Sequence, residues 1–338
     1  MSIDAARTVA DPEWLAHRYD EKADAFQYRH VTRARHAEVP FAIDDYLGIE
    51  AKPVVIPRDE AAALLGEQAP IHFIFHSAFC ASTMLVRALD RPGSAMGISE
   101  PVILNDMVGW RKRGANVPQH AKVMDDSLGQ LSRAWGPGEA VVVKPSNIYN
   151  VLALGALALR PSAKALLLYA PIDEFLLSVA RKGMWCRLWV RELLEILLQH
   201  GMVDLGFEAR DYFRQTDLQA AGVGWLAQHM QFHRMAQHFG PERIATLDSE
   251  TLTRDSAHVA ARVATHFGLG DQDPADYADH PAILRNSKSG AAFERGERQL
   301  DQDRAREVHG EEIEKVAEWI RVIAKQRGIS LDLPNKLR

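Results

Sequence analysis

Residues 71–90 read IHFIFHSAFCASTMLVRALD, and this stretch decides which fold the chain can adopt. An apolar-leaning run at residues 72–75 is followed by small residues and then by apolar residues that suit a buried helix. The pattern predicts a strand, a loop and a helix. A loop that ends in Ser82 and Thr83 at a helix start directs backbone N–H groups and two hydroxyls to the positive end of the helix dipole, which favours an anion. Residues 76–83 are therefore a candidate phosphate cradle.

Two other interpretations of this loop stay open. Ser82 and Thr83 are also ordinary N-cap residues, so the loop could be a plain structural junction. It contains neither glycine nor the lysine of the G-x-x-x-x-G-K-[ST] motif, which argues against an ordinary ATPase loop. Cys80 could be a nucleophile, because a thiol near a helix N-terminus can have a lowered pKa. A C-x5-R phosphatase would need arginine where Val86 stands, and a buried structural cysteine is the simpler interpretation.

Composition bounds the class of protein. The 338 residues are 47% apolar and 25% charged, which is ordinary for a soluble chain of one large or two domains. With a net charge of −5 and no basic stripe, nucleic acid polymers are not expected partners. Cys80 and Cys186 offer neither a disulfide framework nor zinc spacing. No signal peptide pattern is visible and the longest apolar run, residues 151–159, is too short for a bilayer, so we expect a cytoplasmic protein without a membrane partner.

The order of segments predicts the fold class. We treat residues 1–69 as an appended N-terminal cap segment, with a short helix at residues 14–25 and a strand at residues 26–31. Beyond it, apolar strand candidates alternate with helical segments; they lie at residues 72–75, 95–99, 140–143, 164–169 and 243–247. Five such strands predict an α/β fold, a mostly parallel five-stranded sheet with helices on both faces. This domain, residues 70–338, would carry a helical insertion at about residues 184–240 and a C-terminal helix at residues 301–326.

Polar residues follow several of these strands. In open parallel sheets ligands bind beyond the carboxyl ends of the strands. Glu100 follows the second strand and Lys144 ends the third, so both are candidates for chemistry. Taken singly, each also has a structural interpretation, since Lys144 could be a surface charge and Glu100 could pair with it or cap a helix.

In chain order, the segments resemble the P-loop sulfotransferase family over roughly residues 70–290. The phosphosulfate-binding turn of that family, G-x-P-R-S-G-T-T, is matched by HSAFCAST at residues 76–83. A Ser-Glu-Pro after the second strand is matched at residues 99–101, and a lysine at the end of the third strand by Lys144. The R-x-P-x-D motif is similar to YAPID at residues 169–173. The later L-x-x-E-x-L-x-x-D and F-x-G-L patterns are echoed at residues 247–255 and 267–269.

The resemblance implies a P-loop NTPase-like sulfotransferase architecture. It implies transfer of a sulfuryl group from 3′-phosphoadenosine 5′-phosphosulfate (PAPS) to a hydroxyl or amine of a small-molecule acceptor, in a scheme that requires no metal. The residues expected to bind this co-substrate are Ser77, Phe79, Cys80, Ala81, Ser82, Thr83, Ser178 and Arg181. We expect Lys144 to neutralise charge on the transferred group, Glu100 to be the base and His76 to be the substitute base.

Three departures from the family pattern leave a second function open. Phe79 stands where the family has arginine or lysine, and Tyr169 stands where the arginine for the nucleotide 3′-phosphate would be. Ser178 lies one residue later than usual. A noncatalytic nucleotide-binding or scaffold protein on the same fold is therefore the alternative, and affinity for the desulfated nucleotide would separate the two. A homo-oligomer stays open as well.

Other basic and histidine residues were weighed as additional ligands. Arg181 and Lys182 are possible cations near the site but more simply charges at a helix C-terminus, and Lys288 in the tail could fold over the site. His229 and His233 lie four residues apart on a predicted helix and could share a metal. No acid completes H-E-x-x-H, so packed or surface histidines are the favoured interpretation.

Overall fold

The structure is a computed structural model that describes residues 4–270, 273–284 and 295–337. The strands are β1 (Trp14–Asp20), β2 (Ala25–His30), β3 (Val54–Pro57), β4 (Ile71–His76), β5 (Ala95–Ser99), β6 (Ala140–Lys144), β7 (Ala165–Tyr169) and β8 (Ile244–Asp248). The helices of the first half are α1 (Ala5–Ala10), α2 (Arg33–Glu38), α3 (Asp44–Leu47), α4 (Arg58–Ala63), α5 (Ser82–Ala88), α6 (Val102–Lys112), α7 (Val117–Leu131), a 3₁₀ helix (Asn147–Leu152) and α8 (Ala153–Leu159). Those of the second half are α9 (Ile172–Arg181), α10 (Gly183–Gln199), α11 (Ala209–Arg214), α12 (Asp217–Phe239), α13 (Ser249–Arg254), α14 (Ser256–Phe267), α15 (Ala275–Ala278), α16 (Pro281–Leu284) and α17 (Arg295–Gln326).

A five-stranded sheet with the order β5-β6-β4-β7-β8 forms the centre of the fold. Strand β6 runs parallel to β4 and to β5, with Ser99 of β5 opposite Lys144. Every residue of β4 and of β6 is buried, which is why these strands read as continuous apolar runs and not as alternating ones. With helices flanking the sheet, the predicted α/β fold with a mostly parallel five-stranded sheet is confirmed.

The chain forms two compact units, and the first comprises Met1–Phe75, Ser82–Leu166 and Asp255–Ala291. In it β1, β2 and β3 make an antiparallel sheet of their own. The helix predicted at residues 14–25 is wrong, whereas the strand predicted at residues 26–31 is confirmed as β2. The reason is a turn after β1: the Asp20 carboxylate accepts hydrogen bonds from the N–H groups of Lys22 and Ala23 at 2.9 and 3.2 Å. This turn reverses the chain and lets β1 pair with β2.

The buried Arg133 and the half-buried Arg33 fasten the N-terminal segment inside the first unit. The guanidinium of Arg133 donates to the Trp14 carbonyl at 2.6 Å and to three further carbonyls of residues 8–11. Burial lowers the pKa of Arg133 to about 10. Arg33 forms ion pairs with Asp90 and Glu139 at 2.9 and 2.6 Å. The predicted boundary at residue 69 stays a prediction. The contacts of Arg133 and Arg33 show which parts of the first unit the segment before this boundary binds.

The second unit comprises His76–Ala81, Leu167–Arg254 and Ala292–Arg338, and its longest elements are α12 and α17. Within the helical insertion predicted at about residues 184–240, α11 and α12 are separate helices, because Thr216 begins α12 with a capping box that includes Gln219. The predicted C-terminal helix is confirmed as α17. Within the described ranges no helix is both long and apolar enough to cross a bilayer.

Candidate functional site

Lys144 and Glu100 form a charge pair at the carboxyl ends of β6 and β5. The Lys144 side chain is only 1% exposed, and its Nζ forms an ion pair with the Glu100 carboxylate, which is 19% exposed. The N–H of Glu100 also donates to the Lys144 carbonyl at 2.7 Å. Glu100 has a φ of +50°, in the left-handed region, and this conformation lets one residue make both contacts. The structure therefore brings together two of the predicted catalytic residues.

The N-terminal segment contributes an aromatic neighbour to this pair. The Lys144 ammonium lies 5.0 Å from the centroid of the Phe41 ring, in a cation–π arrangement. Phe41 is held nearby because the N–H of Ala42 donates to the Ser99 carbonyl at 2.7 Å. Sequence reasoning missed Phe41, since residues 1–69 were treated as an appendage, and no local motif marks the residue.

Removing two charges from water is costly, and their attraction only partly compensates. An apolar pair of similar volume would often be at least as stable, so the Lys144 and Glu100 pair is not explained by stability alone. An ammonium beside a carboxylate at a strand end can neutralise an anion and accept a proton, and this is the chemistry that the predicted roles require.

The candidate anion loop between β4 and α5 has an unusual backbone. Ala78, Phe79 and Ala81 have φ values of +74°, +55° and +62°, although none of them is glycine. A left-handed conformation costs an L-residue roughly 1–2 kcal/mol. Loops that mix left-handed and right-handed residues form concave groups of N–H donors, the nests that bind anions. The strained backbone is thus consistent with the predicted phosphate cradle.

Ser77 and His76 both stabilise the loop through hydrogen bonds to the backbone. The Ser77 hydroxyl accepts from the N–H of Ala170 at 3.1 Å, and the Ser77 N–H donates to the Leu168 carbonyl at 3.1 Å. The Nδ1 of His76 accepts from the N–H of Ala78 at 3.1 Å. A neutral His76 in this arrangement carries its proton on Nε2 and has no lone pair left for a substrate. This geometry favours Glu100 over His76 as the base.

An aromatic cluster occupies the place that the family pattern gives to a basic side chain. The ring of Phe79 lies 5.7 Å from both Phe175 and Trp189, measured between centroids. The ammonium of Lys182 lies 5.4 Å from the Phe79 centroid. A positive charge therefore lies over Phe79, but it comes from the C-terminal end of α9. The sequence offered Lys182, with Arg181, as a possible cation near the site, although a charge at a helix C-terminus was the favoured interpretation of both.

The remaining predicted ligands lie on the loop and on α9. Cys80 is a free, buried cysteine, and Ser82 and Thr83 are buried at the start of α5. On α9, Ser178 is half-buried and Arg181 is exposed. Their binding roles stay predictions. Lys288 lies outside the described residues.

Tyr169, at the end of β7, lies in a second aromatic cluster. Its ring meets the ring of His229 edge-on, with centroids 5.2 Å apart, and His229 stacks on Trp225 at 4.6 Å. The Nε2 of His229 makes a 2.9 Å hydrogen bond with the Leu331 carbonyl. Because a carbonyl only accepts, Nε2 carries the proton. His229 is thus a packed core histidine, as the interpretation favoured from sequence had it.

Comparison with known proteins finds similar solved structures, at low TM-scores and low identities. No protein-family model matches the chain, and no curated protein matches it. The sulfotransferase domain from the curacin biosynthetic pathway is similar with a TM-score of 0.43 and 13% identity, over 79% of this chain and 100% of that one. The sulfotransferase domain of the Synechococcus PCC 7002 olefin synthase is similar with a TM-score of 0.41 and 14% identity, over 80% of this chain and 92% of that one. A sulfotransferase from Mycobacterium tuberculosis is similar with a TM-score of 0.40 and 13% identity, over 73% of this chain and 77% of that one.

Proposed function

We propose that the chain is a transferase that moves a sulfuryl group from a nucleotide sulfate donor to a hydroxyl or amine of a small acceptor. The observation that carries this proposal is the buried pair of Lys144 and Glu100 at two adjacent strand ends. Ligands of open parallel sheets bind at such ends. Burial of these two charges has a cost in free energy that a structural role does not explain. A site for charged substrates, in contrast, needs such charges.

The proposed chemistry assigns one task to each member of the pair. The acceptor hydroxyl forms a bond to sulfur while the bond from sulfur to the departing phosphate oxygen breaks. The acceptor proton passes to the Glu100 carboxylate. The Lys144 ammonium then loses its carboxylate partner and stabilises the negative charge that develops on the sulfuryl oxygens and the leaving group. The pair thus holds both groups in place before the substrates bind.

The donor implied by the resemblance is PAPS, and the two ends of that molecule fit this chain differently. Its 5′-phosphosulfate needs N–H donors, and the left-handed backbone at Ala78, Phe79 and Ala81 supplies the kind of nest that such a group requires. Its 3′-phosphate needs a cation, and Tyr169 supplies none. The residues present therefore fit a nucleotide sulfate donor but do not fit the 3′-phosphate at Tyr169.

A transfer assay tests the proposal. The protein is incubated with either adenosine 5′-phosphosulfate or PAPS, labelled in the sulfuryl group, and with a panel of phenols, alcohols and amines. We expect labelled product with the wild type. Glu100→Gln and Lys144→Ala should each lower turnover by roughly 10²-fold, with a thermal unfolding scan as the control for folding. Nucleotide binding without any turnover would instead support the noncatalytic alternative, and full turnover by Glu100→Gln would exclude the carboxylate as the base.

A further inference from the structure

The surroundings of Tyr169 define which nucleotide the proposed donor site accepts. Tyr169 ends β7, and β8, the neighbouring strand, ends at Asp248. The Asp248 carboxylate accepts hydrogen bonds from the N–H and hydroxyl of Thr251 at 2.7 and 2.8 Å. These bonds fix the carboxylate at the start of α13, beside the strand end that carries Tyr169.

A second carboxylate approaches Tyr169 from the C-terminal segment. Leu331 accepts the hydrogen bond of His229, whose ring touches Tyr169, and Asp332 is the next residue. Burial, with the charges of Asp248 and Asp332, raises the pKa of Tyr169 to about 12. Both carboxylates are therefore close enough to act on the phenol electrostatically.

Among the described residues, there is less positive charge near Tyr169 than the negative charge of Asp248 and Asp332. Burial lowers the pKa of His229 to about 4, so its imidazole is neutral at pH 7. Lys336 is close, but its ammonium is paired with Asp332 at 2.7 Å. Within the described ranges, a phosphate dianion beside Tyr169 would meet two carboxylates and one ammonium, which together leave a net negative charge. A ribose hydroxyl would meet a phenol, which can both donate and accept a hydrogen bond.

We propose that this site takes an adenosine 5′-phosphosulfate or a related nucleoside 5′-phosphate with a free 3′-hydroxyl, and that it selects against a 3′-phosphate. This inference rests on the proposed function and names the class of its donor. Tyr169 faces the ribose hydroxyl, and Asp248 with Asp332 excludes the dianion by repulsion. Selectivity built on an element that repels the wrong ligand is a common device in specific binding sites.

The test compares two ligands that differ only in the 3′-phosphate, AMP and 3′-phosphoadenosine 5′-phosphate, by calorimetry at low salt. We expect AMP to bind about tenfold tighter or more, because like charges brought together at a binding surface suppress the wrong partner strongly. Asp248→Asn keeps one acceptor oxygen for the Thr251 N–H, can donate its amide to the Thr251 hydroxyl and removes the charge, so it should reduce the preference severalfold. Tyr169→Arg should reverse it.

The outcomes separate this inference from the proposed function. Equal or tighter binding of 3′-phosphoadenosine 5′-phosphate to the wild type would overturn the inference and leave the transferase proposal standing. If the binding of 3′-phosphoadenosine 5′-phosphate is then lost in Arg181→Ala, α9 holds the 3′-phosphate instead. Failure of both nucleotides to bind at millimolar concentration would overturn the proposed function together with the inference. Thermal unfolding of each variant without ligand checks that it folds.

Discussion

Lys144 combines a structural cost with the chemical role proposed for it. Its ammonium is buried between the Glu100 carboxylate and the Phe41 ring. Without the carboxylate the ammonium would be an unpaired charge in a region of low dielectric. The same burial strengthens the interaction of Lys144 with any anion that enters.

The first prediction separates the cost of the pair from its use. Lys144→Met should destabilise the protein by about 3 kcal/mol, because it leaves the partly buried Glu100 carboxylate without a counterion. The double variant Lys144→Met, Glu100→Gln should recover most of that loss, since no charge is then stranded. Urea unfolding of the wild type, both single variants and the double variant gives the coupling energy. Additive losses would mean that the pair does not interact in solution.

At the scale of elements, the loop before α5 reaches a glycine-like conformation with alanine. Ala81 has a φ of +62° and occupies the position of the second glycine in the family turn. Strained backbone conformations of this kind cluster at functional sites, where the surrounding structure holds them in place.

The second prediction concerns this strain. Ala81→Gly should stabilise the protein by up to about 1 kcal/mol, because glycine adopts a positive φ without steric cost, although it also gains freedom in the unfolded chain. The matched control is Ala121→Gly in the interior of α7, which should lose about 1 kcal/mol. Thermal unfolding measures both. A loss of stability in Ala81→Gly as large as that in the control would contradict the left-handed conformation.

The third prediction tests the close approach of α12 and α17. A Cβ at Gly222 would lie 2.7 Å from Cγ1 of Ile320, a fully buried side chain, whereas a Cβ at Gly224 would lie 3.7 Å from its nearest neighbour, Leu197. Gly222→Ala should therefore cost about 1–3 kcal/mol through overpacking. Gly224→Ala, on the same helix, should be neutral or gain up to about 1 kcal/mol from helix propensity. Equal effects in urea unfolding would argue against this packing of the two helices.

The elements of the sheet could be predicted because buried parallel strands are continuous apolar runs, as 140–143 are. Strand β1 could not, because its pairing depends on the turn at Asp20 and on a partner strand that local periodicity does not reveal. The site was predicted residue by residue from strand ends. The pairing of Glu100 with Lys144 was one of two alternatives left open, and the contact with Phe41 was missed, since a positive φ at Glu100 and an approach from a distant segment leave no local signal.

For the whole molecule, three buried histidines contribute to the response to acid. Burial lowers the pKa values of His36, His72 and His229 to about 4 each, against 6.5 for an exposed histidine. His72 and His229 are held by backbone hydrogen bonds, to the N–H of Lys164 and to the Leu331 carbonyl. From roughly one pH unit above 6.5 these histidines are neutral in both the folded and the unfolded chain, so they add no dependence on pH there.

The last prediction follows from the sign of these shifts. As the pH is lowered through 6.5, these histidines become protonated in the unfolded chain, whereas in the folded chain they stay neutral until about pH 4. The free energy of unfolding therefore falls as the pH is lowered across this window and then levels off. At pH 5 each histidine should cost about 2 kcal/mol relative to pH 8. His36→Phe keeps a ring against Trp135 and removes a buried Nε2 that has no partner among the described residues. It should leave stability at pH 8 nearly unchanged and remove about 2 kcal/mol of the loss at pH 5, as measured by urea unfolding at both pH values. An unchanged difference between the two pH values would mean that His36 is protonated in the folded protein.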